Sequence, residues 1–260
     1  MTVGNFSKTI ATREVPANQL AIYWLCQAGF AFKGHTGQIV YIDPYLSDVV
    51  ERVIGFKRMT ISPTIPEDVK ADVIVCTHEH LDHLDVDSLP ILAKNPSTQF
   101  VGPIECMKKF TELGISSDRC HLLEEEKTIE LNGVKITGVY ADHGTLAPDA
   151  LGVILDFGEI RIYHTGDTAY RPEEFEPVIK MRPDVLLPCI NGAFGNMNAL
   201  EAAQLTQLIA PRVVLPTHFW MFVEQNGDPK SFIEHCSKLA PDTQVVLATP
   251  GQEFCFQKSL

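Results

Sequence analysis

The sequence predicts a mixed α/β fold, and three observations support that class. Short apolar runs typical of β-strands recur along the chain, and strand-like and helix-like segments alternate clearly after about residue 172. No internal repeat, low-complexity tract or linker rich in Gly, Ser or Pro interrupts the 260 residues. We therefore expect one domain over residues 1–260, in which residues 1–19 form an N-terminal extension. These patterns alone leave the sheet topology open.

The first part of the chain is predicted to be mainly β-strand. Asp43-Pro44 ends the third strand and opens an irregular segment to about residue 70, and the run 73–76 is apolar enough for a strand buried on both faces. Asn132-Gly133 and Gly158-Glu159 predict two hairpins. Predicted strands cover residues 20–25, 30–33, 38–42, 73–76, 127–131, 134–140, 151–157 and 160–163, and predicted helices cover 86–94 and 104–113.

The last third of the chain alternates between helix and strand. We predict helices over residues 172–181, 199–209 and 229–239, and strands over 185–187, 213–215, 244–248 and 253–256. Many strands with helices interspersed, and no domain-boundary signal, favour a single mixed α/β domain.

Composition excludes some classes of partner. The formal net charge of -12 argues against a surface that coats nucleic acid, and no apolar stretch is long enough to span a bilayer. The start of the chain lacks the apolar core of a signal peptide, and the seven cysteines are scattered without a Cys-x-x-Cys pair. We expect a cytoplasmic protein that acts on a small molecule, with no nucleic-acid or membrane partner and with a homo-oligomer left open.

The most informative motif is His78-Glu79-His80-Leu81-Asp82-His83, directly after the apolar run 73–76. Crowding three imidazoles and the Asp82 carboxylate is costly unless something draws them into one site, and a divalent metal does so. The alternative, a solvated polar loop, does not explain the further metal-competent side chains downstream.

Those further side chains also follow predicted strands. Asp43, His143, Asp167 and His218 each stand just after an apolar run, where the loops of a sheet edge can converge. We predict that His78, His80, His143 and Asp167 bind one ion, and that Asp82, His83, Asp167 and His218 bind another. Asp167 is then the shared carboxylate, and each ion keeps room for a water or hydroxide.

In this order the residues resemble the motifs of the metallo-β-lactamase superfamily, from about residue 20 to residue 256. Asp167 stands where true β-lactamases have a cysteine, which favours the broad hydrolase branch. Local matches at 23–25, 163–168, 191–197 and 216–220 are similar to the L-ascorbate-6-phosphate lactonase-like group, although His143 and the shorter chain depart from it. The resemblance implies an αββα four-layer sandwich with a metal site at one edge.

The resemblance also implies roles around the metals. Asp43 is expected to orient a ligand histidine rather than to touch metal, with a simple strand-ending turn as the alternative. His164 is either a support for a ligand or a packed side chain. We expect two divalent ions, zinc or manganese with iron as a third option, and assign catalytic roles to Asp82, Asp167 and His218.

The substrate is less constrained by the sequence. Asn196, Phe194, Tyr170, Arg171 and Trp220 flank the metal loops and are candidates for the substrate pocket, although core packing is an alternative for the aromatic ones. We expect substrate choice to be set by the loops over residues 49–66, 144–150, 191–198 and 220–228. The leading prediction is a metal-dependent hydrolase that cleaves a lactone or ester, with phosphorylated substrates allowed. The alternatives are a phosphodiesterase using the same site and a non-catalytic metal-binding or ligand-sensing protein.

Overall fold

A computed structural model describes residues 6–258 of the chain. Its strands form two sheets of seven strands each. The first sheet has the order β14-β1-β2-β3-β4-β5-β6 and the second the order β13-β12-β11-β10-β9-β8-β7. The strands are β1 (Gln19–Trp24), β2 (Phe30–Lys33), β3 (Ile39–Ile42), β4 (Val73–Val75), β5 (Gln99–Gly102), β6 (Cys120–Leu122), β7 (Thr128–Leu131), β8 (Val134–Val139), β9 (Gly152–Asp156), β10 (Arg161–His164), β11 (Val185–Leu187), β12 (Val213–Val214), β13 (Gln244–Val245) and β14 (Glu253–Gln257).

The helices lie outside the two sheets, which gives the αββα sandwich that the resemblance implied. Alternation along β1 shows the two faces: Leu20 and Ile22 point into the core between the sheets, whereas Ala21 and Tyr23 join a separate apolar cluster with the helices of the first sheet. The helices are α1 (Phe6–Thr12), α2 (Val49–Ile54), α3 (Leu89–Leu92), α4 (Ile104–Glu112), α5 (Glu176–Met181), α6 (Ala199–Ile209) and α7 (Pro229–Leu239).

Each sheet combines an antiparallel half with a parallel half. β3, β4, β5 and β6 run parallel in the first sheet, and β10, β11, β12 and β13 run parallel in the second. β8 also runs in the direction of β10, because both are antiparallel to β9. The carboxyl ends of β3 and β4, and those of β8, β10 and β12, therefore each lie on one side of their sheet.

Both predicted hairpins are present, and Asn132 and Gly133 have the positive φ angles of 51° and 76° that a type I′ turn requires. Four elements were not predicted: α1, α2, β5 and β6. The predicted helix 86–94 is reduced to α3, because Asp85 holds the preceding turn by accepting hydrogen bonds from Ser88 and Pro90 stands in the first helical turn. The predicted helix 172–181 is a 3₁₀ turn followed by α5.

Within residues 6–258, no helix combines the length and the apolar character needed to cross a membrane. The seven cysteines are all free, and five of them are buried. Burial raises the pKa of the Cys76 and Cys106 thiols well above the ordinary value. These thiols are therefore protonated and pack as small apolar side chains.

Candidate metal centre

The loops that follow β3, β4, β8, β10 and β12 meet between the two sheets. They bring together the seven side chains predicted as metal ligands, in three overlapping groups whose ligand atoms lie within 4.8 Å of one another. The groups are His78, His80 and His143; His78, His83 and Asp167; and Asp82, His83 and His218. The topology explains the meeting, since the carboxyl ends of strands that run in one direction share an edge.

The first half of the centre is built from imidazoles alone. His78 Nε2 lies 3.0 Å from His80 Nδ1. The His143 ring is 5.2 Å from the His78 ring and 5.1 Å from the His80 ring, measured between centroids. These three histidines come from the loops after β4 and β8, and they are three of the four ligands predicted for one ion.

The second half combines two imidazoles with a carboxylate. His83 Nε2 lies 3.3 Å from His218 Nε2, and Asp82 Oδ2 lies 3.5 Å from His218 Nε2. His218 reaches this position from a backbone with φ of 62°, a conformation that is uncommon outside glycine. The backbone of the loop after β12 is therefore locally strained at His218, and this conformation places the His218 ring next to His83 and Asp82.

Asp167 lies between the two halves. Its Oδ1 is 3.1 Å from His218 Nε2 and 3.3 Å from His83 Nε2, and its Oδ2 is 3.7 Å from His143 Nε2. Gly166 makes this placement possible: its φ is +60°, and a Cβ there would stand 2.7 Å from the Leu151 carbonyl oxygen. A carboxylate that faces histidines of both groups is suited to the shared role predicted for it.

Asp43 controls which ring nitrogens face the centre. It is fully buried, and its Oδ2 accepts hydrogen bonds from His83 Nδ1 and the Thr77 hydroxyl, both at 2.8 Å. Because the Thr77 hydroxyl donates to Asp43, its oxygen is left to accept from His78 Nδ1 at 3.0 Å. When each ring is neutral, it then presents an unprotonated Nε2, which is the form that binds metal.

His80 uses the opposite nitrogen. Its Nε2 lies 3.1 Å from the Leu146 carbonyl oxygen, which can only accept, so this nitrogen donates. The lone pair on Nδ1 therefore faces the lone pair on His78 Nε2. Two lone pairs 3.0 Å apart repel each other unless a cation or a proton lies between them.

These contacts test whether a metal fits the residues present. Asp167 Oδ1 is buried and, within residues 6–258, has no hydrogen-bond partner of acceptable geometry. Nitrogen lone pairs converge around it, and the set of five imidazoles and two carboxylates without a thiolate suits zinc, manganese or iron. The residues fit divalent metal.

Electrostatics favour positive charge at the same place. Burial alone would raise the pKa of Asp167, but the neighbouring His218 and His83 lower it well below its ordinary value. Burial alone would lower the pKa of His83, but the carboxylates of Asp167, Asp43 and Asp82 raise it well above the ordinary value. Burial lowers the pKa of His78 and His143, so these rings are neutral and available as ligands at neutral pH.

His164 supports the loop of Asp167 and does not face the ligands. Its Nε2 donates to the Ala28 carbonyl oxygen at 2.7 Å, and its Nδ1 accepts from the Gly166 N–H at 3.0 Å. Burial lowers the pKa of His164, which keeps the ring neutral and Nδ1 able to accept. Of the two roles left open for this residue, the contacts favour support of a ligand loop.

Gln27 was not predicted and lies beside the second half of the centre. Its side-chain Nε2 donates to Asp82 Oδ2 at 2.7 Å and lies 3.2 Å from His218 Nε2. Its backbone carbonyl oxygen accepts from the His218 N–H, and its φ is 50°. Nothing in the sequence around residue 27 marks this role, because the contact depends on how the β1–β2 turn meets the loop after β12.

A cavity of about 330 Å³ opens above the centre. Its floor is formed by His80, Asp82, His143, Asp167 and His218. The remaining wall is mainly apolar and comprises Val50, Ile54, Phe56, Leu81, Leu146, Phe194 and Phe222, with Glu79 and Gln225 as its other polar residues. The volume of this cavity lies at the lower end of the range found for small-molecule binding sites.

Of the five predicted pocket residues, Phe194 lines this cavity and the other four do not. Trp220 lies on the wall of a different groove with Ile233 and Leu247, since its backbone also turns through a positive φ of 55° directly after His218. Arg171 is paired with Asp142 at 3.0 Å.

Tyr170 stacks on Phe175. This contact favours core packing, which was the alternative role for the aromatic candidates. Asn196 is buried within the loop of residues 191–198. Of the aromatic wall, Phe194 was predicted as a pocket residue. Phe56 and Phe222 were not predicted individually, although both lie in loops that were expected to set substrate choice.

Comparison with known proteins agrees with this geometry. A family model described as a beta-lactamase superfamily domain matches residues 21–218, which contain every ligand candidate. The chain belongs to the metallo-β-lactamase superfamily. Within it, the chain is similar to proteins named UPF0173 metal-dependent hydrolase. The relative from Aeropyrum pernix is 32% identical over 241 residues, covering 86% of this chain and 93% of that protein.

A second relative of the same name, from Archaeoglobus fulgidus, is 29% identical over 250 residues, covering 92% of this chain and all of that protein (100%). Among solved structures, Igni18, described as a metallo hydrolase from Ignicoccus hospitalis, superposes with a TM-score of 0.77. It is 24% identical, and the match covers 93% of this chain and 100% of that one. This structural likeness shows the metallo-β-lactamase fold.

Proposed function

We propose that the protein is a metal-dependent hydrolase that cleaves a lactone or another carboxylic ester. The observation that carries the proposal is the pair of ligand groups joined at Asp167 on the floor of an open cavity. His78, His80 and His143 would hold one ion, and Asp82, His83 and His218 the other. When bound, divalent ions in such a site lower the pKa of a bound water and polarise the bond under attack.

The residues of the chain supply the remaining requirements. Among the described residues that line the cavity there is no Ser, Thr, Cys or Lys to act as a nucleophile, which supports attack by water. Asp82 is partly exposed to the cavity and is placed to accept a proton from that water. The Gln27 amide, 2.7 Å from Asp82 Oδ2, holds the carboxylate in orientation.

Two features bear on the bond that is cleaved. The local sequence likeness to the L-ascorbate-6-phosphate lactonase-like group supports a lactone. The cavity wall, which carries no Lys or Arg among the described residues, supports an ester whose part remote from the metals is uncharged. For the metals we propose zinc or manganese, with iron as the third option.

Removal of metal tests the proposal. Dialysis against EDTA should abolish hydrolysis of lactones and 4-nitrophenyl esters, and zinc or manganese should restore it. Asp167→Ala should lose bound metal and activity together, and His80→Ala should lose the ion of its own half of the centre together with activity. In each case kcat/KM should fall on the order of a thousandfold or more. Lys230→Ala, a change at an exposed residue of α7, is the control and should behave as the wild type.

Three results would contradict the proposal. One is an unchanged hydrolytic rate in a His80→Ala protein whose metal has been analysed. A second is turnover of bis-4-nitrophenyl phosphate at a rate well above that of all lactones and esters, which would establish the phosphodiesterase alternative. The third is a fully metallated protein without turnover on either panel, which would favour the non-catalytic alternative.

A further inference from the structure

The wall of the cavity has a chemical character of its own, apart from the metal centre. Phe56 lies against Phe194 and against Phe222, with ring centroids 6.2 Å apart in each case. Phe222 also packs on Tyr45 at 5.8 Å. Aromatic rings held against one another in this way form a firm apolar surface next to the ligand groups.

The mouth of the cavity exposes apolar side chains to solvent. Ile54, Leu146 and Phe194 line it and are 54%, 50% and 48% exposed. Apolar side chains grouped around a concave opening are the usual mark of a surface that an apolar ligand covers. The metal centre alone does not require them, since none of the three supplies a ligand atom.

The two arginines near the cavity already interact with other side chains of the protein. The Arg58 guanidinium stacks over the Tyr45 ring at 4.6 Å and lies 3.8 Å from Asp48. Arg52 pairs with Asp87 at 2.6 Å. Neither arginine lines the cavity. A phosphate or carboxylate on the part of the substrate remote from the metals would therefore lose its water without gaining a cation, which is costly.

We propose that the substrate carries an uncharged apolar group, aryl or alkyl, which binds between Phe56, Phe194 and Leu146 while its ester or lactone carbonyl lies at the metal centre. The inference rests on the proposed function, because it takes the scissile bond to be at that centre. It replaces the phosphorylated substrate allowed by the sequence with a neutral one of apolar character.

A panel of lactones tests the inference on the metal-loaded full chain. Dihydrocoumarin and δ-decalactone carry apolar groups, δ-valerolactone carries none, and 6-phosphogluconolactone carries a phosphate. We expect kcat/KM for the first two to exceed that of both others by roughly tenfold or more, as burial of an apolar group against such a wall implies. Equal or higher kcat/KM for the phosphorylated lactone would overturn the inference.

Two variants localise the effect to the wall. Phe194→Ala and Ile54→Ala remove half-exposed side chains, so folding should be preserved. Each should lower kcat/KM for dihydrocoumarin by roughly tenfold and leave that for δ-valerolactone within about twofold. Leu200→Ala, at a leucine that is 42% exposed and outside this cavity, is the matched control and should change neither value. Equal losses on both lactones in the two wall variants would overturn the inference.

A binding measurement separates this inference from the proposed function. If no lactone or ester is hydrolysed, the proposed function fails, and the wall is still tested by titration calorimetry with 4-phenylbutyramide and its para-carboxylated analogue. We expect the neutral amide to bind at least roughly tenfold more tightly, and to lose that advantage in Phe194→Ala. Equal or tighter binding of the carboxylated analogue would overturn the inference even if hydrolysis of esters is found.

Discussion

At the scale of single residues, the centre depends on side chains that are not ligands. Asp43 is bonded to His83 directly and to His78 through the Thr77 hydroxyl, so one buried carboxylate fixes the tautomer of two rings. The resemblance to the superfamily predicted a supporting role for Asp43. The sequence did not predict Thr77, because a hydroxyl beside a histidine in sequence carries no signal of what it contacts.

The ligand candidates themselves could be predicted because their chemistry is distinctive and their positions are regular. Imidazoles and carboxylates that repeatedly follow apolar strands are costly to bury together without a cation, so the pattern points to a metal. Apart from Phe194, the apolar residues that line the cavity could not be predicted individually in the same way. Trp220 is two residues from His218 yet faces another groove, whereas Phe56 is far from every ligand in sequence and lines the cavity.

Gln27 provides a test at this scale. Gln27→Ala removes the amide that donates to Asp82 Oδ2, so we expect metal affinity at the second half of the centre to fall by roughly tenfold or more, without loss of the fold. Competition with a chelating dye measures the affinity. Gln252→Ala, an exposed glutamine, is the control, and equal affinities in the two variants would show that the amide does not support the site.

At the scale of elements, local patterns predicted what is locally determined. The Asn132-Gly133 hairpin follows from turn chemistry, and α6 from a helical run that begins with the Asn198 and Glu201 capping box. β6 was not predicted because it is a short edge strand in which two side chains are partly buried and the third, Leu122, is exposed. α1 was assigned to an extension, yet Phe6 and Ile10 are buried in the cluster on the first sheet.

The turn after β10 provides a test at the scale of elements. Gly166→Ala places a Cβ 2.7 Å from the Leu151 carbonyl oxygen in a backbone with φ of +60°, so the loop that carries Asp167 must shift. We expect a loss of about 1–3 kcal/mol in the free energy of unfolding together with weaker metal binding. Urea unfolding in EDTA and metal titration measure the two effects.

Gly158→Ala is the matched control for that variant. Gly158 also has a positive φ, +97°, but a Cβ there would meet nothing within 4 Å, and its hairpin lies away from the ligands. This control should show the cost of the backbone conformation without a change in metal affinity. If the Gly166 variant binds metal as tightly as the control, the close approach to Leu151 does not position Asp167.

At the scale of the whole molecule, the centre exists because two sheets face each other. β3 and β4 of the first sheet deliver Asp43 and the motif of residues 77–83, and β8, β10 and β12 of the second deliver His143, Asp167 and His218. Sequence patterns identified the strands but left their order open, since pairing between distant strands is set by the packing of whole sheets. The resemblance to a family supplied the sandwich of two sheets but not their strand order, and the two seven-stranded sheets of the structure agree with that architecture.

The number of ions bound per chain is the decisive quantity for a centre with two halves. Elemental analysis by inductively coupled plasma mass spectrometry on metal-loaded protein should give close to two divalent ions per wild-type chain. His80→Ala and His218→Ala each disable one half of the centre and should each retain about one ion, because the other half keeps its own ligands. One ion or none in the wild type, or an unchanged count in both variants, would contradict a two-metal centre shared at Asp167.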